Sequence, residues 1–330
     1  DHRDLHVRSR RQRQMCIRDR LGNDIDGEAT DDRCGWSVSL NNSGYRVAVG
    51  SPQNDGSALN SGSARVYDWN GTSWSQVGSD INGEAVGDHS GNSVSLNASG
   101  NILAVGAIYN QDNGSNSGHV RVYEYIGNSW MQMGGDIDGE AAIDESARSI
   151  SLDSVGHKIV IGAHANDGNG IDSGHARLYR YLNGYWIKVG DDIDGENADD
   201  NCGRSVCLSS NGNRVVIGSP QNDANGSNAG HVRVYKNCTG SSFSIDFQTV
   251  CDSYNWNGNI YHQSGVYVDT IPGILTCDSI VTLNLNILQS SSSIDQMSYC
   301  DSTTWLDGNT YYASNSTATY TMVNSLGCDS

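Results

Sequence analysis

A segment of 56 residues occurs four times in this chain, and this repeat constrains the fold more than any other feature of the sequence. Each copy begins with an acidic stretch of the pattern D-I-[DN]-G-E, whose first residues are Asp24, Asp80, Asp136 and Asp192, each 56 residues after the one before. A constant period of this size is typical of repeat proteins in which every copy is one supersecondary unit. Such units bury their apolar faces by packing against their neighbours.

Four short β-type segments are predicted in each copy, separated by stretches rich in Asn, Ser and Gly that predict turns. In the first copy they are Gly35–Leu40, Arg46–Gly50, Ala64–Trp69 and Trp74–Gly78. Later copies repeat the second segment as LAVG, IVIG and VVIG, which is typical of strands covered on both faces. No helical periodicity accompanies these segments.

The predicted fold is therefore all-β, a complete or partial β-propeller of four-stranded blades over residues 21–236. A parallel β-helix is the alternative, but the coils of that fold are much shorter than this repeat. In an up-and-down blade, alternate connections emerge on the same side. The acidic stretch and the long Asn/Asp-rich loop after the second strand should thus share one rim. The predicted ligand-binding residues of the long loop are Asn54, Asp55, Asp112, Asp167 and Asp223.

The repeats resemble the FG-GAP repeats of integrin α-chain propellers and of their bacterial relatives. The resemblance covers residues 21–236 and rests on CGWSVSLNNSGYRVAVGSP and CGRSVCLSSNGNRVVIGSP, followed by GSARVY and GHVRVY. It implies a propeller that serves as a binding platform. The calcium loop of integrins lies between the first two strands, where this chain has only NNSG, NASG, DSVG and SSNG. That metal site is therefore not carried over.

A different calcium site is predicted in the acidic stretch, whose oxygen-bearing residues at positions 1, 3, 5 and 9 have the spacing of Ca²⁺ ligands. The four predicted ligand sets are Asp24, Asp26, Glu28 and Asp32; Asp80, Asn82, Glu84 and Asp88; Asp136, Asp138, Glu140 and Asp144; and Asp192, Asp194, Glu196 and Asp200. The alternative is a solvated acidic turn. Repulsion does not exclude it, because two charges 4 Å apart in water cost only about 1 kcal/mol.

Other chemistry-bearing residues recur in three of the four copies, which favours a role in the fold over a single catalytic centre. His119, His175 and His231 begin the third strand, and a zinc ion shared between blades is excluded because packed sheets lie about 10 Å apart. We expect structural hydrogen bonds from these histidines and interblade packing from the recurring Trp and Tyr residues. Motifs of serine hydrolases, zinc proteases and nucleotide-binding proteins are not found, so the chain is predicted not to be an enzyme.

The pattern changes after residue 236. Two copies of a Cys-Asp-Ser module follow at 248–288 and 298–330, after linkers at 237–247 and 289–297. They resemble Ig-like β-sandwich modules of secreted bacterial surface proteins, especially those exported by type IX secretion. Paired cysteines in small modules predict the disulfides Cys251–Cys277 and Cys300–Cys328, and a Cys₄ zinc site is the alternative.

The N-terminal segment of residues 1–20 does not fit the rest of the chain. Its RRQRQMCIRD resembles the translation of an adapter used in sequencing libraries, so we expect a disordered artefact and a chain truncated at both ends. The net charge of −18 disfavours nucleic acid as a partner, and no apolar run approaches the ~20 residues of a membrane span.

Together these features predict an extracellular bacterial binding or adhesion protein. The propeller would be the ligand platform, with a glycan or a protein as its partner, and Ca²⁺ would stabilise it. The C-terminal modules would be spacers. The alternative is a fragment of a secreted enzyme, with a glycosidase-like site in the propeller or a catalytic domain beyond either end of the sequence.

Overall fold

The computed structural model describes residues 20–236, 243–271, 279–325 and 327–328, and it divides the chain into two compact units, Asp1–Asn237 and Cys238–Ser330. Every regular element in the described residues is a strand, which confirms the predicted all-β class. None of the described segments forms a helix that is long and apolar enough to span a membrane. The predicted artefact lies outside the described residues, except for Arg20.

The first unit consists of short strands that follow the repeat. They are β1 Ser37–Leu40, β2 Arg46–Ser51, β3 Ser63–Trp69, β4 Trp74–Gln76, β5 Ile81–Asn82, β6 Ser90–Leu96, β7 Ile102–Ala107, β8 His119–Ile126, β9 Ser129–Gln132, β10 Ile137–Asp138, β11 Ser146–Leu152, β12 Lys158–Ala163, β13 His175–Leu182, β14 Tyr185–Lys188, β15 Ile193–Asp194, β16 Ser205–Leu208, β17 Arg214–Ser219 and β18 His231–Lys236.

These strands form four antiparallel sheets, which we call blade 1 (β1–β5), blade 2 (β6–β10), blade 3 (β11–β15) and blade 4 (β16–β18). The first three strands of a blade pair in chain order. In blades 1–3 the third strand also pairs along its second half with the fourth strand and along its start with a short fifth strand, as Trp69 with Trp74 and Ser63 with Asn82 show. The four predicted strands are confirmed in blades 1–3, whereas blade 4 has three strands within the described residues. The fifth strand, which lies in the acidic stretch, was not predicted.

The blades pack face to face in chain order, and the first strand of each blade contacts the first strand of the next. Each interface holds an apolar cluster that both blades contribute to. Between blades 1 and 2, Val66 packs with Leu96 and Leu103, which are at most 7% exposed. Equivalent clusters lie between blades 2 and 3 and between blades 3 and 4. Packing between neighbours explains why the middle strands are apolar on both faces.

Polar contacts between neighbouring blades repeat with the same spacing as the sequence. A serine hydroxyl of one first strand donates to a carbonyl of the next blade at 2.8 Å, from Ser37 to Gly91, from Ser93 to Ala147 and from Ser149 to Gly203. The recurring tryptophans donate their indole N–H to the preceding repeat, from Trp74 to Leu21, from Trp130 to Val77 and from Trp186 to Met133. The expected equivalence of these tryptophans is thus confirmed.

The two ends of the described stack are apolar and exposed. Leu40 in β1 is 60% exposed, whereas its equivalent Leu152 in β11 is 7% exposed. At the other end, Val234 in β18 is 64% exposed, whereas its equivalent Val122 in β8 is 1% exposed. The same residue types are therefore buried wherever a neighbouring blade is present.

The second unit has a smaller sheet of a different topology. Its strands are β19 Phe243–Cys251, β20 Tyr254–Trp256, β21 Asn259–Tyr261, β22 Gly265–Ile271, β23 Ser279–Leu288, β24 Thr303–Thr304 and β25 Thr310–Tyr311. The sheet has the order β19-β23-β22, and β19 runs parallel to β23. Strands β20–β21 and β24–β25 form two separate hairpins. Trp256 in β20 packs with Leu283 and Leu285 in β23, so the first hairpin lies against the three-stranded sheet, and the Ig-like sandwich stays a prediction.

One disulfide joins Cys251 to Cys328, whose Cα atoms lie 5.7 Å apart. The predicted pairs Cys251–Cys277 and Cys300–Cys328 are therefore wrong. Cys300 is an exposed free thiol, and Cys277 lies outside the described residues.

The observed pairing follows from the parallel arrangement of β19 and β23. Cys251 at the end of β19 lies opposite Leu288, and the next residue in the chain, Gln289, accepts a hydrogen bond of 3.0 Å from the side chain of Asn324. Asn324 in turn accepts a hydrogen bond from the backbone N–H of Cys328. These contacts bring Cys328 to the end of β19.

Candidate functional site

One rim of the blade stack is formed by two kinds of loop, as predicted. The acidic loop runs from the fourth strand of one blade to the first strand of the next, and the long loop connects the second and third strands. Backbone hydrogen bonds join them, from Gly83 to Gly62 at 2.8 Å and from Gly87 to Leu59 at 3.0 Å. We call this side the acidic rim. The short turns lie on the opposite side, where Asn42 donates to Ala98.

The last aspartate of each acidic loop is buried and holds its own loop together. Asp32, Asp88, Asp144 and Asp200 are at most 3% exposed. Asp144 accepts hydrogen bonds of 3.0 Å from the backbone N–H of Ala141 and from the side chain of Asn166 in the long loop. Burial raises the pKa of Asp144, and these two hydrogen bonds counteract that effect. Position 9 of the predicted calcium set therefore serves as a loop cap.

Asn54 has the same structural role as Asn166. It is 4% exposed and donates to Asp32 and Glu28, at 3.2 Å in each case. The structure therefore places this predicted ligand-binding residue beneath the rim surface.

The glutamate at position 5 of each acidic loop faces an arginine from the third strand of the same blade. The pairs are Glu28–Arg65 at 3.4 Å, Glu84–Arg121, Glu140–Arg177 and Glu196–Arg233 at 3.8 Å. Arg65, Arg121 and Arg177 are less than 10% exposed. A buried guanidinium needs a charged partner, and the glutamates supply one. This pairing explains how each blade tolerates several carboxylates.

The partner of the first aspartate varies between the acidic loops. Asp24 pairs with Arg20 at 2.9 Å, and Asp80 and Asp136 accept hydrogen bonds from the glutamines four residues before them. Asp192 pairs with Arg177 at 2.9 Å and with Lys188 at 2.5 Å. Burial alone would raise the pKa of Asp192, but the hydrogen bonds from these two cations lower it to about 2.

Position 3 of the acidic loop is set by the short fifth strand. Asn82, Asp138 and Asp194 lie opposite Ser63, His119 and His175 at the start of the third strand. In the first loop the backbone carbonyl of Asp26 accepts a hydrogen bond from Arg65 instead. Burial raises the pKa of Asp138, and the negative charges of Asp136 and Asp112 add to the shift.

The predicted calcium ligands of one loop are therefore not brought together. Within the described residues, two groups of His, Asp and Glu have ligand atoms within 4.8 Å of one another, and both combine residues of different loops. They are Glu84, Asp112, His119 and Asp136 in one group and Glu140, His175 and Asp192 in the other. In each group, the glutamate at position 5 of one acidic loop and the aspartate at position 1 of the next acidic loop lie beside the same histidine. This histidine begins the third strand between the two loops.

These histidines belong to polar groups that were not predicted from the sequence. His119 and His175 are 3% exposed, and the Nδ1 atom of each has no hydrogen-bond partner, contrary to the expected structural hydrogen bond. Burial lowers the pKa of His175 to about 4. The sequence signal for these groups is the G-H-[VA]-R motif. Its histidine begins the third strand, which places the histidine opposite the next acidic loop.

The predicted aspartates of the long loop divide into two kinds. Asp55, Asp167 and Asp223 each accept a hydrogen bond from the backbone N–H five residues further along, at 2.6–2.9 Å. Asp112 lies one position later in its loop, where Gln111 takes the place of the capping aspartate. Its carboxylate instead lies 3.9 Å from the Nδ1 atom of His119.

Comparisons with known proteins give a family match within the repeats. Residues 82–123 match the FG-GAP repeat family. Curated protein sequences give no match. Solved structures with similar folds include Kuenenia stuttgartiensis hydrazine synthase, at 12% identity and a TM-score of 0.41 over 65% of this chain and 49% of that one.

Two further similar structures are Saccharomyces cerevisiae Sqt1 and the WD40 repeats of RRP9. The first is 12% identical, with a TM-score of 0.39 over 61% of this chain and 47% of that one. The second is 11% identical, with a TM-score of 0.39 over 64% of this chain and 53% of that one. The chain spans about half the length of these solved structures.

Proposed function

We propose that this chain is a binding protein of the bacterial cell surface or extracellular space, in which the acidic rim of the blade stack holds the ligand. The C-terminal unit would act as a spacer. The observation that carries the proposal is the repetition of the same two polar loops on one rim of blade after blade. Repetition multiplies weak contacts along a surface, which suits the recognition of a glycan or a protein.

Exposed charge on this rim supports the proposal. The side chains of Glu84, Glu140 and Glu196 are about half exposed although each pairs with an arginine, at 49%, 51% and 51%. Asp112 is 60% exposed. The carboxylates therefore remain accessible to a ligand, and their paired arginines hold them in place.

The repeated pattern favours binding over catalysis. Each glutamate–arginine pair and each buried aspartate has an equivalent in the other blades, and each has a role in its own loop. A hydrolase site of the glycosidase type needs one specific pair of carboxylates. Recurrent pairs that already hold the loops give no reason to choose one blade as a catalytic centre.

The disulfide between Cys251 and Cys328 supports an extracellular location, because disulfides persist in oxidising compartments and are rare in the cytosol. The net charge of −18 supports a partner other than nucleic acid.

The test is binding of the full chain to an array of glycans and extracellular proteins, with one rim variant and one control. The rim variant is Asp31→Asn/Asp199→Asn, which removes two exposed carboxylates of the acidic loops. Both residues have positive φ angles of 67° and 64°, which asparagine tolerates well. The control is Asn42→Lys/Val155→Lys on the opposite rim, which changes the net charge by the same amount.

We expect the wild type and the control to retain the same ligand, and the rim variant to bind it several-fold more weakly at low salt, because exposed charges act over about 10 Å. Equal binding by all three proteins, or binding lost only in the control, would place the ligand elsewhere and refute the proposal. Absence of any bound ligand would also refute it.

A further inference from the structure

The polar group of blade 2 contains a buried base without a hydrogen-bond partner. His119 is 3% exposed, and its Nδ1 atom contacts no donor or acceptor. Two carboxylate oxygens face it, Oδ2 of Asp136 at 3.7 Å and Oδ2 of Asp112 at 3.9 Å. Both distances are too long for a hydrogen bond. An unpaired buried nitrogen costs free energy unless another partner takes its lone pair.

The spacing of these atoms suits one small cation between them. Two ligands that each lie about 2.1 Å from one ion are at most about 4.2 Å apart. The distances from His119 to Asp136 and Asp112 are within this limit, and Glu84 completes a group whose ligand atoms all lie within 4.8 Å of one another. Asp112 and Glu84 are 60% and 49% exposed, so small rotations of their side chains would close the remaining gaps.

Within the two groups of ligand atoms, blade 2 has an excess of negative charge that blade 3 does not have. In blade 2 three carboxylates, Glu84, Asp112 and Asp136, face one cation, Arg121, which leaves two negative charges. In blade 3 two carboxylates, Glu140 and Asp192, face two cations, Arg177 and Lys188. Two substitutions make the difference: Asp112 replaces Gly168, and Gln132 replaces Lys188.

None of the other blades has the set of blade 2. The position of Asp112 is Gly56 in blade 1, Gly168 in blade 3 and Ala224 in blade 4. Blade 1 also has Ser63 in place of the histidine. Asp112 adds a third carboxylate beside a buried imidazole. The other blades form the same structure without this carboxylate.

We propose that blade 2 binds one divalent transition-metal ion, with Nδ1 of His119 and carboxylate oxygens of Asp112, Asp136 and Glu84 as ligands. Its +2 charge matches the unbalanced charge of the group. A nitrogen ligand suits zinc or manganese better than calcium, which takes oxygen ligands. Oδ2 of Asp136 lies 3.7 Å from Nδ1 of His119 and 3.4 Å from Nε of Arg121, and Oδ1 accepts a hydrogen bond from Gln132. Asp136 would therefore offer the ion its Oδ2, with Arg121 beside it.

The experiment uses the full chain after removal of metals with a chelator. Isothermal titration with ZnCl₂, MnCl₂ and CaCl₂ measures affinity and stoichiometry, and Co²⁺ loading reports the ligand set through its visible absorption. Each test variant gives blade 2 the residue of another blade, so that the loops keep a residue that the repeat tolerates. The variants are Asp112→Gly, as in blade 3, and His119→Ser, as in blade 1. His175→Gln in blade 3 is the matched control.

We expect one zinc or manganese ion per chain to be lost, or bound at least about tenfold more weakly, in Asp112→Gly and His119→Ser. The wild type and His175→Gln should bind alike. The double variant Gly168→Asp/Lys188→Gln copies the blade 2 set into blade 3 and should gain a second ion. Melting curves in chelator check that every variant folds.

Histidines and thiols elsewhere in the chain can bind zinc, but they are common to all the variants, so the inference depends on differences between them. It is overturned if Asp112→Gly and His119→Ser bind zinc and manganese as tightly as the wild type. It is also overturned if the wild type binds neither ion, or if calcium binds more tightly and independently of His119. A metal result in either direction leaves the glycan and protein array of the proposed function as a separate test.

Discussion

The blade stack and the C-terminal unit bury their apolar strands in different ways. In the stack, every described interface between blades holds an apolar cluster to which both neighbours contribute. In the C-terminal unit, one cluster around Trp256, Leu283 and Leu285 supports a three-stranded sheet, and a disulfide joins Cys251 to Cys328. Repetition supplies each blade with a partner surface. A small unit with one such cluster has a covalent bond as a further constraint.

The largest expected effect tests this difference directly. Cys251→Ser removes a crosslink between residues 77 positions apart, which the chain-entropy model values at about 4 kcal/mol. We expect the transition of the C-terminal unit in scanning calorimetry to shift strongly or disappear, while the transition of the stack stays in place. Cys300→Ser is the control, because that thiol is free and exposed. If the stack transition also shifted in Cys251→Ser, the two units would not differ in what stabilises them, which would contradict the comparison.

A core substitution should affect the stack instead. Leu152→Ala removes a side chain that is 7% exposed between blades 2 and 3, and such changes cost about 2–5 kcal/mol. Leu40→Ala is the same change at the equivalent position of blade 1, where the leucine is 60% exposed, and should cost well under 1 kcal/mol. Urea denaturation measures both. Equal losses would show that the neighbouring blade does not supply the stabilisation.

Acid should weaken the stack through His175. Its pKa falls from 6.5 to about 4 on folding, so between these values the unfolded chain binds a proton that the folded chain does not. The contribution of the neutral His175 to the free energy of unfolding is therefore fully present above about pH 6.5 and decreases as the pH falls. Between pH 6.5 and 5 the loss should be about 2 kcal/mol, measured by urea denaturation, and smaller in His175→Gln. An unchanged pH dependence in that variant would exclude His175 as the cause.

A smaller effect concerns Asp192 and its two cations. Its folded pKa of about 2 is below the ordinary value of 3.8, so its contribution is present above about pH 4 and is lost as the pH falls toward 2. Asp192→Asn should cost about 1–2 kcal/mol at neutral pH and almost nothing at pH 2. Asp136, the equivalent residue in blade 2, has no lysine partner, so Asp136→Asn should reduce the free energy of unfolding by less. A larger loss in blade 2 would contradict the charge balance described for blade 3.

Much of the stack could be predicted because its repeat is regular. The constant spacing fixed the blades, and the turn-rich segments between apolar runs located their four main strands. The prediction that the acidic loops and the long loops share one rim followed from the alternation of the connections between strands. The fifth strand escaped prediction because two residues show no alternation, and its pairing depends on where β3 and its equivalents begin.

The polar groups at the rim could not be predicted for the same reason. They combine residues of two successive acidic loops, and only the pairing of the third and fifth strands brings these residues to the same histidine. Asp112 was predicted to be equivalent to Asp55, but it lies one position later in its loop, and this shift of one residue changes its partner. The disulfide was wrong because the spacing of cysteines does not determine their connectivity.

The exposed end faces of the stack have an evolutionary consequence. Leu40 and Val234 occupy positions that a neighbour covers in the interior blades, so each end presents the residue types of an internal contact. Duplication of one repeat in the gene would therefore insert a blade that fits on both sides without compensating mutations. Proteins built in this way can lengthen or shorten by whole units while point mutations diversify individual rims.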